Sequence, residues 1–170
     1  MDAKASPQAN AVKQRMSVQR KSDRELLVTR TVNGPAHLVF EAWTTPELFK
    51  RWWVPKSLGM AMLACELDVR TGGSYRLVFE HPSAPDGLAF HGKYLEVTPP
   101  SRIVWTNDES GGNGQVTTVT FEERAGQTLL AVHELYPSKE ALDEDLSQGL
   151  AWNDEAFDQL DDLLGSAARA

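Results

Sequence analysis

One cysteine, Cys65, is all the thiol chemistry that this chain of 170 residues carries. An intrachain disulfide is excluded, which suits a reducing, cytoplasmic compartment and leaves stability to a packed core. Cys65 has apolar neighbours on a predicted strand, the setting of a buried free thiol rather than a reactive one. Positive charge is also in short supply. A formal net charge of −7 argues against a nucleic-acid backbone as partner, because phosphates need a concentrated basic face. No apolar run reaches the roughly 20 residues that span a bilayer, and the N-terminus lacks the apolar centre of a signal peptide. The histidines never stand in the H-x-x-x-H spacing of a helical metal site, so neither a metal nor a cofactor is expected.

At this length the chain forms one domain, with roughly 70% of its unfolded surface available for burial. Charge is unevenly spread. Residues 1–24 hold Lys4, Lys13, Arg15, Arg20, Lys21 and Arg24 against Asp2 and Asp23, a net of +4, so the remainder carries −11. With no periodic hydrophobics, residues 1–23 read as a disordered basic tail ahead of a domain at 24–166.

Glu25–Val32 alternates as a first strand. Asn33-Gly34-Pro35 breaks it, and Leu38, Val39, Ala42 and Trp43 recur at helical spacing up to Thr44. Thr45-Pro46-Glu47 opens a second short helix, with Thr45 as N-cap, carrying Leu48, Phe49, Trp52 and Trp53 to Pro55. From Met62 the period becomes two. Leu63, Cys65, Leu67 and Val69 share one face of a strand and Glu66, Asp68 and Arg70 the other, the last two placed to pair at the surface. Thr71-Gly72-Gly73 is a turn; a phosphate-binding loop would need a helix next, and the alternation of Tyr75, Leu77 and Phe79 follows instead. Pro82–Gly87 is predicted as a loop. Strands are predicted around Leu88–Tyr94, with a bulge at Gly92, and around Ile103–Trp105, Val119–Phe121 and Thr128–Tyr136. Gly111-Gly112-Asn113-Gly114 turns the chain before Val119. Short loops between these strands require an antiparallel meander. Ser138 then caps a helical tract running to about Gly165, either continuous or divided at Gly149.

This order of segments resembles the activator of heat-shock-protein ATPase homologue-like (CalC-like) branch of the START-like SRPBCC superfamily over Arg24–Gly165. The resemblance is carried by Pro35–Trp43, by Thr45-Pro46-Glu47 through Arg51-Trp52-Trp53, and by Leu67-Asp68-Val69-Arg70-Thr71-Gly72-Gly73-Ser74-Tyr75. It continues in Gly92–Val97, Arg102–Thr106 and the closing Trp152–Leu164. It implies an α+β helix-grip fold, in which a curved antiparallel sheet of about seven strands wraps a long C-terminal helix. Two short helices follow the first strand, and a cavity lies between helix and sheet. The superfamily hosts ligand carriers, cyclases and chaperone partners, so the fold does not choose among functions.

The cavity candidates are Trp52, Trp53, Phe79, Phe90, His91, Tyr94, Trp105, His133, Trp152 and Asn153. The aromatic residues would grip a flat apolar ligand, either strand histidine would hydrogen-bond it, and Asn153 interrupts the apolar stripe of the last helix. His133 and Glu134 are consecutive on a strand, so they point to opposite faces and form no acid/base dyad. The acidic residues from Glu140 to Asp162 read as a solvated outer face, or as a surface for a basic protein partner. The leading expectation is non-catalytic binding of a small hydrophobic or aromatic molecule. The alternatives are a co-chaperone-like interaction module, with a homodimer also compatible, and a cyclase- or hydrolase-type enzyme using His91, His133 or Glu134.

Overall fold

The structure, a computed structural model, describes residues 15–108, 114–148 and 152–169. Eight strands form one antiparallel sheet: β1 (Ser17–Arg20), β2 (Glu25–Val32), β3 (Met62–Leu67), β4 (Ser74–His81), β5 (Ala84–Thr98), β6 (Arg102–Asn107), β7 (Gln115–Arg124) and β8 (Gln127–Leu135). Their order across the sheet is β1-β2-β8-β7-β6-β5-β4-β3. The meander runs from β3 to β8, and β2 closes onto β8. Helices α1 (Ala36–Thr44) and α2 (Pro46–Trp52) lie between β2 and β3, while α3 (Lys139–Gln148) and α4 (Asp154–Arg169) follow the sheet. This is the α+β helix-grip arrangement implied by the resemblance.

The inward rows obey the period of two. In β2 and β8, Leu26, Val28, Val32, Leu130 and Val132 are buried in register, and α4 lays Phe157, Leu160, Leu163 and Leu164 against the core. Burial of such side chains stabilises by about 1.5–3 kcal/mol each. Helix α1 buries Val39, Phe40, Ala42 and Trp43, with Phe40 edge-on to Phe121 of β7 at 5.3 Å.

Several expectations are corrected. Residues 17–20, assigned to the tail, form edge strand β1 on β2, and the Met16 amide donates to Asp154 at 2.9 Å. The sheet therefore has eight strands; residues 1–14 lie outside the described residues. Leu63 points outward and is exposed, because a register shift between Met62 and Ala64 reverses the phase of β3 at its start. Cys65 is only partly buried, yet burial still pushes its thiol up to about 11. Strand β3 stops at Leu67, so the exposed Asp68–Arg70 pair at 3.1 Å belongs to the following turn. The segment 82–87 is not a loop: His81 pairs with Ala84 across a tight turn and β5 begins at once.

Gly92 marks no bulge. Against β6 the register of β5 shifts between Tyr94 and Glu96, and Gly92 is needed because a Cβ there would stand 1.8 Å from the Thr106 carbonyl oxygen. Gly72, at φ +90, carries the hairpin turn, and its amide donates to the Tyr94 carbonyl at 2.8 Å. The predicted turn at Gly111-Gly112-Asn113 and the predicted break at Gly149 lie outside the described residues. The C-terminal tract is two helices. Ser138 caps α3 through the Ala141 amide at 3.1 Å, and α4, with 16 residues, spans about 24 Å.

Candidate functional site

Between the concave sheet face, α2 and the start of α4 lies a cavity of about 420 Å3. Every element around it places a side chain there by its own periodicity. β4 contributes Tyr75, Leu77 and Phe79; β5 contributes Leu88, Phe90 and Tyr94; β6 contributes Ile103, Trp105 and Asn107. The helical side supplies Trp43, Phe49, Trp52, Trp53, Trp152, Asn153 and Ala156. Eight of the ten residues expected at the cavity therefore meet around it: Trp52, Trp53, Phe79, Phe90, Tyr94, Trp105, Trp152 and Asn153.

The tryptophans form one connected cluster centred on Trp43. Its ring lies 4.8 Å from Trp52, 5.8 Å from Trp53, 6.0 Å from Trp105 and 5.8 Å from Trp152. Trp52 is fully buried and donates its indole N–H to the Ala42 carbonyl at 2.9 Å, so it fixes α2 to α1. Trp53 follows at the helix end, only partly buried, and stacks on Phe49 at 4.6 Å. Among the described residues the buried indole Nε1 of Trp43 has no hydrogen-bond partner, and an unmade bond of this kind costs about 1–3 kcal/mol.

The two histidines are corrections. His91 is exposed on β5, and neither it nor His133 lines the cavity. His133 faces outward and meets Glu25 at 2.9 Å. The reason is phase: on β8 the inward row is Thr128, Leu130, Val132 and Glu134, so the carboxylate goes in and the imidazole goes out. Glu134 is 4% exposed and heads a polar arm of the cavity. Its Oε1 accepts from Thr117 Oγ1 at 2.5 Å and Gln115 Nε2 at 2.8 Å; its Oε2 accepts from Trp152 Nε1 at 2.6 Å. Asn107 Nδ2 in turn donates to Thr117 Oγ1 at 3.3 Å. Burial raises the Glu134 carboxyl above its ordinary value of 4.5 against the pull of these three donors, and the like charge of Asp145 adds to the rise. Asp145, also on the wall, is raised by burial, and Tyr136 hydrogen-bonds to it. Burial pushes the Tyr136 hydroxyl upward as well.

Sequence reasoning raised Glu134 only as a candidate acid or base of the enzymatic alternative, and it missed Thr117, Gln115 and Asn107 as wall residues. The inward phase of Glu134 was legible, because it sits two residues beyond Val132 in the row that holds Leu130. Asn153 is not a break in a helical stripe but the N-cap of α4, its Oδ1 accepting from the Ala156 amide at 2.9 Å.

The acidic surface also needs correction. Asp154, Asp158 and Asp161 share one face of α4 and converge on the buried Arg30 of β2, at 3.2, 3.0 and 2.9 Å. Arg30 additionally lies 5.7 Å from the Phe157 ring centroid. Asp161 accepts from the Asn33 amide at 2.8 Å, and its carboxyl is raised chiefly by burial, against the pull of that amide and of Arg30. Glu155 accepts from Ser57 N at 2.9 Å and Ser57 Oγ at 2.5 Å. Gln159 receives the Lys56 amide and donates to the Trp52 and Val54 carbonyls at 3.0 and 2.9 Å. These bonds fasten the segment after α2 over the cavity. Among the described residues no group of three or more His, Cys, Asp or Glu could hold a metal ion, and no helix is long and apolar enough to cross a membrane.

Solved structures of similar fold come from several bacteria. A protein from Rhodobacter sphaeroides superposes with a TM-score of 0.79 at 24% identity, covering 89% of this chain and 99% of its own. A protein from Nitrosomonas europaea gives 0.76 at 22%, covering 88% and 99%. An AHSA1-like protein from Aeromonas hydrophila gives 0.61 at 19%, covering 81% and 94%. At these identities the likeness establishes the fold alone. No curated protein matches the chain significantly. The sequence model of the activator of Hsp90 ATPase homolog 1-like proteins matches residues 33–165, from the end of β2 through most of α4, and the chain therefore belongs to that family.

Proposed function

We propose that the chain binds a small, largely apolar molecule without transforming it, in the cavity between the sheet and α4. One observation carries this reading: a cavity of about 420 Å3, walled by aromatic and aliphatic side chains with a few polar groups gathered on β6, β7 and β8. Such a volume lies within the range of small-molecule pockets, and that mixture of surfaces is their usual lining. The buried Trp43 indole N–H without a protein partner is a further support, since core donors are normally paired. A cytoplasmic setting fits the lone thiol.

The interaction-module alternative rests on the acidic helical face or on the exposed side of the sheet. Three of the helical aspartates converge on Arg30 and so serve the fold. The enzymatic alternative narrows to Glu134, because His91 and His133 lie elsewhere. Its two oxygens are already held by three donors from its own chain.

The test is a thermal-shift and tryptophan-fluorescence screen of hydrophobic dyes, fatty acids and substituted aromatics. Compounds that fit should raise Tm and quench or shift the emission of the Trp cluster. A panel in which nothing does either would sink the reading.

A further inference from the structure

The cavity has a charge imbalance that narrows the class of its occupant. Its wall contains two carboxyl side chains, Glu134 and Asp145, and no lysine, arginine or histidine among the described residues. The influences on the Glu134 carboxyl are burial, three hydrogen-bond donors and the like charge of Asp145; no cation figures among them. A buried carboxylate is stable only when paired, hydrogen-bonded or protonated. Here it is hydrogen-bonded but has no counter-charge. Around it stand tryptophans, the side chains whose ring faces attract cations most strongly. Trp152 belongs to both sets, since its indole N–H holds Glu134 while its ring joins the cluster at 5.8 Å from Trp43 and 5.2 Å from Trp53.

Resting on the cavity-binding reading, we infer that the occupant is an apolar organic cation, an amine or quaternary ammonium on an aromatic or alkyl body. Its charged end would lie against Glu134 and the tryptophan faces, and its body against Leu77, Phe79 and Phe90. The positive charge would supply the counter-ion that the described residues do not bring. A carboxylate or phosphate ligand would bring further negative charge to a site that already holds two acids. A neutral hydrocarbon would gain the apolar contacts and leave the acid without a counter-charge. A cationic patch of Lys50, Arg51 and Lys56 lines an adjoining hollow instead, and its side chains are exposed.

Three probes of one skeleton test the inference: 1-naphthylmethylamine, 1-naphthylmethanol and 1-naphthoate, each titrated against the full chain by calorimetry and tryptophan quenching at neutral pH. The ammonium should bind about tenfold or more tighter than the alcohol, and the naphthoate most weakly. In Glu134→Gln the ammonium should lose that advantage while the alcohol keeps its affinity. Asp145→Asn, at a half-buried position on the wall, should reduce the advantage less. Equal binding of the three, or preference for naphthoate, would overturn the cationic class and leave the cavity reading standing. If no probe binds and the wider hydrophobic screen is also silent, both fall together. The comparison among probes uses the unaltered protein, so an unfolded variant does not remove the test.

Discussion

The indole of Trp152 donates to Glu134 Oε2 at 2.6 Å and thereby ties the entrance of α4 to strand β8. Trp152 lies at the break between α3 and α4, and Glu134 is the next-to-last residue of the last strand. The same hydrogen bond fixes the wall of the cavity and the position of the helix that grips it. Trp152 also stacks on Phe157 with an interplanar angle of 13°, so its ring has a seat independent of the polar contact. In Trp152→Phe the ring contact should survive in part while Glu134 loses one of three donors. The expected cost is about 1–3 kcal/mol, read as a lower urea midpoint. An unchanged midpoint would mean that solvent already satisfies Oε2.

Glu134 gives stability a pH dependence whose direction follows from the sign of its shift. Burial raises its carboxyl above 4.5 in the folded protein, so the folded state prefers the protonated form relative to the unfolded chain. The stabilisation is complete below the ordinary value and is lost as pH rises through the raised one. Thermal unfolding of wild type and Glu134→Gln from about pH 4 to about pH 8 isolates this group from the exposed carboxylates. Wild type should fall relative to the variant as pH climbs. A difference that stays flat across that interval would show that the donors fully offset burial.

How much of this was legible beforehand depends on whether a residue's role follows from local period or from its neighbour across space. Phe79, Phe90, Tyr94 and Trp105 stand on alternating strands, and the Trp52-Trp53 pair on an amphipathic helix, so their faces could be read directly. His133 and Glu134 differ by one position, and only the phase of β8 decides which goes inward; Leu130 and Val132 set that phase. Strand β1 left no comparable trace. Ser-Val-Gln-Arg has no apolar rhythm, and it becomes a strand because the edge of β2 offers unpaired backbone groups. Arg30 is an intermediate case. A charge in the row Leu26, Val28, Arg30, Val32 demands partners, but its three aspartates lie more than 120 residues downstream, where their spacing looks like an ordinary helical surface.

That buried cluster yields a stability prediction. Arg30 is 2% exposed and compensates three carboxylates that would otherwise face one another. Removal of one member of a buried ionic cluster costs about 3–5 kcal/mol, because the remaining charges stay desolvated without a partner. Arg30→Ala should lower the unfolding free energy by this amount and loosen α4 on the sheet. Hydrogen exchange would register the loosening as faster exchange along α4 and β2. Arg30→Lys should recover only part of the loss, since one ammonium does not reproduce a planar fork that reaches Asp154 through Nη1 and both Asp158 and Asp161 through Nη2.

Filling the cavity should move stability and binding in opposite directions. Leu77 is 5% exposed, on the cavity wall, and sits in register with Cys65 on one side and Phe90 on the other. A phenylalanine there has its extra volume directed at open space instead of at packed neighbours, which is the condition under which a larger side chain stabilises. Leu77→Phe should raise the unfolding free energy of the unliganded protein by about 0.5–1 kcal/mol. It should also abolish the thermal shift produced by any ligand that stabilises the wild type. If the variant is instead destabilised by about 1–3 kcal/mol, the signature of overpacking, the space beside Leu77 is already filled. If ligand shifts persist unchanged in a stabilised variant, binding takes place elsewhere on the molecule. The paired measurement separates a cavity that holds ligand from one that is only a packing defect, because a defect would yield the gain in stability with no ligand effect to lose.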